Sequence, residues 1–284
     1  VVLLSVHGAA AREKPLYDPT FFEPCEELVT PHVSWLKPFA GKPLRVLFVT
    51  HRRAMREVIE LAQRVDMQYT VFACEKANKF GETGIGVDSG WKLVKGNSAE
   101  ELAEDLRKKL AADYDVIVVG NVKWDEFPLD CRYLILKKVK AGTGLVGCLP
   151  KKGRDQFVGK IMEKSGGAAP EGLAEGIPFA SLPAFARFSK SDAPEFLRKA
   201  VQTTVFGTGR VGLVGYTVPA HQMLTPGPVG PVQDCRLDYD YYLAAAAKLM
   251  LWAARRDDAA SVSVAGGPLL KHDRTSGVPL RVAF

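Results

Sequence analysis

The 284-residue chain has no apolar run approaching the ~20 residues that a membrane-spanning helix requires, so no transmembrane segment of that kind is expected. Its five cysteines, Cys25, Cys74, Cys131, Cys148 and Cys235, include no C-x-x-C pair, which removes a zinc motif. An odd count leaves at least one thiol outside any intrachain disulfide, and a chain this rich in apolar residues is not a disulfide-built scaffold. His, Cys, Asp and Glu are nowhere grouped at metal-ligand spacing, so neither a metal nor a cofactor is expected. A phosphate-cradling loop is also missing. Gly207-Thr208-Gly209-Arg210 falls within a hairpin, and Gly81 to Gly86 does not open a helix after a strand. The 38 basic and 32 acidic residues are interspersed along the chain. Without a concentrated basic face interleaved with aromatics, nucleic acid is not an expected partner. There is no internal repeat and no low-complexity segment.

What remains is an ample core: 47% of the residues are hydrophobic and 25% charged, as in a globular protein. The clearest organised stretch runs from Tyr114 to Pro150. Asp115-Val116-Ile117-Val118-Val119-Gly120-Asn121 is an apolar run with a polar stop, the pattern of a strand covered on both faces. Pro128 opens a helix with Leu129, Tyr133, Leu136, Val139 and Ala141 along one side, and Gly142 stands where a C-cap belongs. Gly144-Leu145-Val146-Gly147-Cys148 is a second buried strand. Two such strands joined by a helix make a βαβ unit, whose ligand sites lie at the carboxyl ends of the strands. Asn121 and Cys148 both fall at such ends.

The same alternation precedes this unit. Leu44 to Thr50 reads as a strand, and Ala54 to Val65 as a helix with Met55, Val58, Ile59, Ala62 and Val65 on one stripe. Gln68 to Cys74 is a further strand. Residues 75 to 97 are loop-rich and suit a lid or an added hairpin. Ser98-Ala99-Glu100-Glu101 is a capping box opening a helix that turns Leu102, Leu106 and Leu110 inward. Further along, Asp155 to Met162 reads as a short helix, and Ser191 or Asp192 caps another that ends near Ala200. Gln202 to Phe206 and Arg210 to Tyr216 form a hairpin. Asp238 to Ala254 is a helix apolar nearly all round, expected to lie buried against the sheet.

Residues 1 to 11 read as the remnant of a secretory h-region with a small-residue cleavage site at Ala9 to Ala11, or as an edge strand followed by a loop. Residues 12 to 43 are a proline-rich lead-in, and 44 to 258 form an α/β domain. Residues 259 to 284 look like the start of a β-rich extension, truncated at Phe284, so adjacent domains of a longer chain are expected partners. The fold class is α/β: a flavodoxin-like, doubly wound, mainly parallel sheet with helices on both faces.

The segments Tyr114 to Asn121 and Val139 to Gly147 together are similar to class I glutamine amidotransferase-like domains, in the style of trehalose-utilisation-type proteins and domains of large secreted bacterial proteins. Phe206-Gly207-Thr208-Gly209-Arg210-Val211 matches a glycine-rich turn of that family, and Tyr241 to Ala254 its closing helix. The likeness spans residues 43 to 256. It implies the α/β fold, an extracytoplasmic location (cytoplasmic being the alternative) and an association with carbohydrate. For an active member it also implies a cysteine on a strained elbow with glycines at both second neighbours, and a late histidine with an acid two residues on.

Here the sequence departs from that pattern. Gly147 directly precedes Cys148 and Pro150 stands in the place of the second glycine; proline has no amide hydrogen and a fixed φ. His221 is late in the chain, but Gln222 and Met223 follow it and supply no carboxylate. Cys148 is therefore read as a small buried cysteine, with a hydrolase using Cys148 as nucleophile and His221 as base the alternative. His51, Arg52 and Arg53 follow a strand and open a helix, where they can meet an anion or pair with acids such as Glu57. Asn121, Lys123 and Trp124 border the same cleft, Trp124 either stacking on a sugar ring or packing inward. Tyr216 and His221 flank its mouth. The expected function is a ligand-binding or structural module without amidotransferase activity, with a small molecule or carbohydrate as ligand. A protein-interaction scaffold is a further reading.

Overall fold

In the computed structural model the described residues are 29, 42–51, 54–76, 91–92, 99–148, 172–173, 177, 200–216, 218, 222–225, 235–256, 263–265 and 281–283. The first strand, β1 (Leu44–His51), is followed by α1 (Met55–Arg64), β2 (Met67–Lys76), β3 (Trp91–Lys92), α2 (Ala99–Ala111) and β4 (Val116–Gly120). A 3-10 turn (Trp124–Glu126) leads to α3 (Leu129–Ala141), β5 (Gly144–Cys148), β6 (Val201–Phe206), β7 (Gly209–Val214) and α4 (Cys235–Ala253). A separate antiparallel pair, β8 (Ser263–Ala265) with β9 (Arg281–Ala283), falls where strands are expected in the last stretch.

The main sheet has seven strands in the order β3-β2-β1-β4-β5-β7-β6. Its five central strands are parallel, and each edge adds an antiparallel strand, β3 on β2 and β6 on β7. Taken alone, the parallel strands follow the flavodoxin-like order, which reverses between β1 and β4. The expected α/β class is thus the observed one. β3 puts an added antiparallel strand in the 75–97 region.

Both faces of the sheet are covered, which is why the central strands are apolar throughout instead of alternating. Val46, Phe48, Val116, Val118 and Val146 point into one core with residues of α1 and α4. Leu47, Val49, Ile117, Val119 and Leu145 point into the other with residues of α2 and α3. Leu102, Leu106 and Leu110 are buried as the capping-box helix predicts.

The stripe expected on α3 is corrected. Leu129 and Tyr133 are exposed, and Cys131, Ile135 and Val139 face the core. That face packs toward α2, where the Cys131 Sγ lies 3.8 Å from the carbonyl of Ala103. On α1 Val58, Ile59 and Val65 are buried as expected and Met55 and Ala62 are half-buried, but the buried face is wider than the expected stripe and takes in Glu57, Glu60, Leu61 and Arg64.

Two helices end in the same hydrogen-bonded motif. In α3, Gly142 has φ +125°, its N–H reaches Val139 O, and Thr143 N–H reaches Lys138 O. In α4, Arg255 takes the left-handed place with φ +59°, and Arg256 N–H reaches Leu251 O. The Arg256 guanidinium then meets Asp115 at 3.1 Å.

β5 lies directly beneath the end of α4. A Cβ added to Gly144 would sit 2.5 Å from the backbone C and O of Ala253. Backbone cannot swing aside as a side chain does, so Gly144→Ala is expected to lower stability by about 1–3 kcal/mol, read from urea unfolding midpoints.

Candidate functional site

The carboxyl ends of β1, β4 and β5 meet at one edge, and β1 and β4 flank the point where strand order reverses. Ligands of this topology bind in the crevice just outside that point. Thr50, near the end of β1, donates its hydroxyl to Gly120 O at the end of β4 (3.2 Å). Asn121 follows with φ +53°, a left-handed conformation that asparagine tolerates better than most residues. That turn aims its N–H at Cys148 O (3.0 Å) and its side-chain amide at the carbonyls of Val218 (3.5 Å) and Gln222 (3.3 Å).

Residues 222–225 thus lie against the crevice itself. Met223 is fully buried, and a Cβ on Gly120 would fall 1.8 Å from its Cγ. Glycine at the end of β4 leaves the room that Met223 fills. The segment is held from below by Glu57, in the first turn of α1. Its carboxylate accepts the N–H groups of Met223 (2.7 Å), Leu224 (2.8 Å) and Thr225 (3.0 Å), and the hydroxyl of Thr225 (3.2 Å). Burial pushes the Glu57 pKa up to about 7, against the opposing pull of those donors.

The residues expected to line the cleft separate into groups. Asn121 stands at the strand end, tied to the segment above it. Lys123 is buried and lies 3.3 Å from Glu126. Trp124 is fully buried and tilted against Phe127 at 5.7 Å between ring centroids, so the packing alternative holds and no ring face is open to a sugar. Tyr216 is also buried instead of flanking a mouth. Its hydroxyl donates to Leu224 O (2.8 Å), and burial holds its pKa far above the ordinary tyrosine value.

Cys148 closes β5, buried in the core shared with Tyr216, Met223 and Leu224, and belongs to no disulfide. His51 is half-buried at the end of β1. Arg52, Arg53 and His221 lie outside the described residues, and with them the Cys148–His221 pair. The expected pairing of Glu57 with these arginines lies outside the described residues as well; among the described residues its oxygens accept from the 223–225 backbone and the Thr225 hydroxyl.

Sequence reasoning offered Glu57 only as a partner for arginines and missed its hold on the 223–225 backbone. One signal was present: it shares an i, i+4, i+7 stripe with Leu61 and Arg64, and all three are buried. Arg64 reaches Glu60 on its own helix and Asp240 on α4, both at 2.6 Å, so the charges on this face of α1 are structural. Among the described residues no group of His, Cys, Asp and Glu could hold a metal ion, and no helix is long and apolar enough to cross a membrane. No protein-family model matches this sequence, and no curated protein is significantly similar to it.

Proposed function

We propose that the chain is a class I amidotransferase-like domain without amidotransferase chemistry, serving as a ligand-binding or structural module of a larger extracytoplasmic protein. The observation that carries this reading is the setting of Cys148. Its residue is 7% exposed, at a strand end inside an apolar cluster, a setting that supports a packed thiol over a nucleophile. Buried cysteines in such surroundings behave as small hydrophobes. The segment at Gln222–Thr225 supports the same reading, since Met223 packs against Gly120 and Gln222 holds Asn121 at the strand end beside which a substrate of this topology would react. A small molecule or carbohydrate would then meet the protein near His51 at the end of β1. The scaffold reading draws support from Leu129 and Tyr133, exposed one turn apart on α3.

Alkylation by iodoacetamide between pH 5 and 9, mapped to Cys148 by peptide mass and controlled with Cys148→Ala, tests the reading. Labelling slower than that of a free thiol at every pH is expected. Fast labelling with a midpoint well below ~8.5 would restore a cysteine hydrolase.

A further inference from the structure

The geometry points to a proton-coupled hydrogen-bond switch formed by Glu57, Thr225 and Gln222. The Thr225 hydroxyl lies 3.2 Å from Glu57 Oε2 and 3.2 Å from Gln222 Oε1. It carries a single hydrogen and can satisfy only one of these acceptors at a time. An ionised Glu57 accepts and cannot donate, so the hydroxyl turns to the carboxylate. When Glu57 takes a proton from water on Oε2, the new O–H donates to Thr225 Oγ1. The threonine hydrogen then swings to Gln222 Oε1.

The backbone contacts survive this change. Oε1 keeps the N–H groups of Leu224 and Thr225, and Oε2 retains a lone pair for Met223. The proton therefore re-aims side chains without releasing the segment. Gln222 also holds the Asn121 amide through its backbone carbonyl, so the switch reaches the end of β4. This inference does not depend on a ligand or on the reactivity of Cys148.

Burial lifts Glu57 into the neutral range. The neighbours that feel its charge are Tyr216 beyond β7 and Tyr239 on α4, and burial raises the pKa of each, so both stay neutral from pH 5 to 9. Cys148 lies beyond Tyr216. On α1, Glu60 is paired with Arg56 and Arg64. Among the described residues, the further titratable groups at this edge are His51 at the end of β1 and Lys123, which lies 3.3 Å from Glu126 after β4.

The test follows the carboxyl carbon resonance of Glu57 in 13C-glutamate-labelled protein from pH 5 to 9, assigned with Glu57→Gln. A midpoint near 7 is expected, unchanged in His51→Gln. Gln222→Leu removes the acceptor that supports the protonated state, so the midpoint should fall by roughly half to one pH unit. That fall should vanish when Thr225→Val is added and persist with Thr225→Ser. Circular dichroism checks folding, and Thr225→Ala replaces the valine variant if the latter does not fold. The switch is overturned if Glu57 does not titrate in this range, or if Gln222→Leu has the same effect with and without the hydroxyl.

Discussion

Glu57→Ala is expected to destabilise the protein by roughly 3–5 kcal/mol at pH 6, read from chemical unfolding. The loss does not come from apolar area. It comes from three backbone N–H groups, at Met223, Leu224 and Thr225, that are buried with Glu57 as their acceptor. An unsatisfied buried donor costs about 1–3 kcal/mol, and alanine leaves all three facing a void. Partial collapse and water entering the void limit the total. The threonine hydroxyl adds little, because Gln222 can take its hydrogen.

The pH dependence has a definite sign. Folding raises the Glu57 pKa from 4.5 to about 7, so the folded protein binds this proton more tightly than the unfolded chain. Its contribution is fully present below about pH 4.5 and is lost as pH rises through about 7. The wild type should therefore lose stability across that window, and Glu57→Gln, which cannot ionise, should flatten the slope. A slope unchanged by the substitution would assign the pH dependence to other groups.

Trp124→Ala is expected to cost about 3–5 kcal/mol, again by chemical unfolding. The indole is fully buried among Leu102, Leu106, Ile117, Val119 and Phe127, on the face of the sheet that α2 and α3 cover. Removing it opens a void that the two helices and the sheet cannot close together. A sugar platform would behave in the opposite way, losing carbohydrate binding with stability intact. The two outcomes thus decide between the alternatives that the sequence leaves open for this residue.

The sheet was legible in the sequence because burial on both faces leaves a plain signature. Leu44 to Thr50, Val116 to Gly120 and Gly144 to Cys148 are apolar almost without interruption, and those runs are β1, β4 and β5. Gly142 announced the end of α3 because few other residues accept φ +125°. The rotation of α3 was harder to read. Leu129-Tyr133 and Cys131-Ile135-Val139 both repeat at helical spacing, and only the contact with α2 decides between them. Glu57 was hidden for a different reason. Its partners lie 166 to 168 residues away, and three of the four are backbone amides, which any residue except proline presents. No pattern of residue types encodes such a contact. The left-handed turn at Asn121 was equally silent, though asparagine after a strand-ending glycine is a residue suited to it.

One corner of the fold bears on how the α/β unit sits in a polypeptide. Arg256, just past α4, donates to the carbonyl of Lys42, just before β1, and shares Asp115 with Arg45. The first and last residues of the sheet-and-helix unit are therefore held side by side. A longer chain that runs into the unit and out again would pass through almost a single point in space. Such a unit can be spliced into a host loop, or have its ends joined and be reopened elsewhere, without stretching the host or disturbing the strand order.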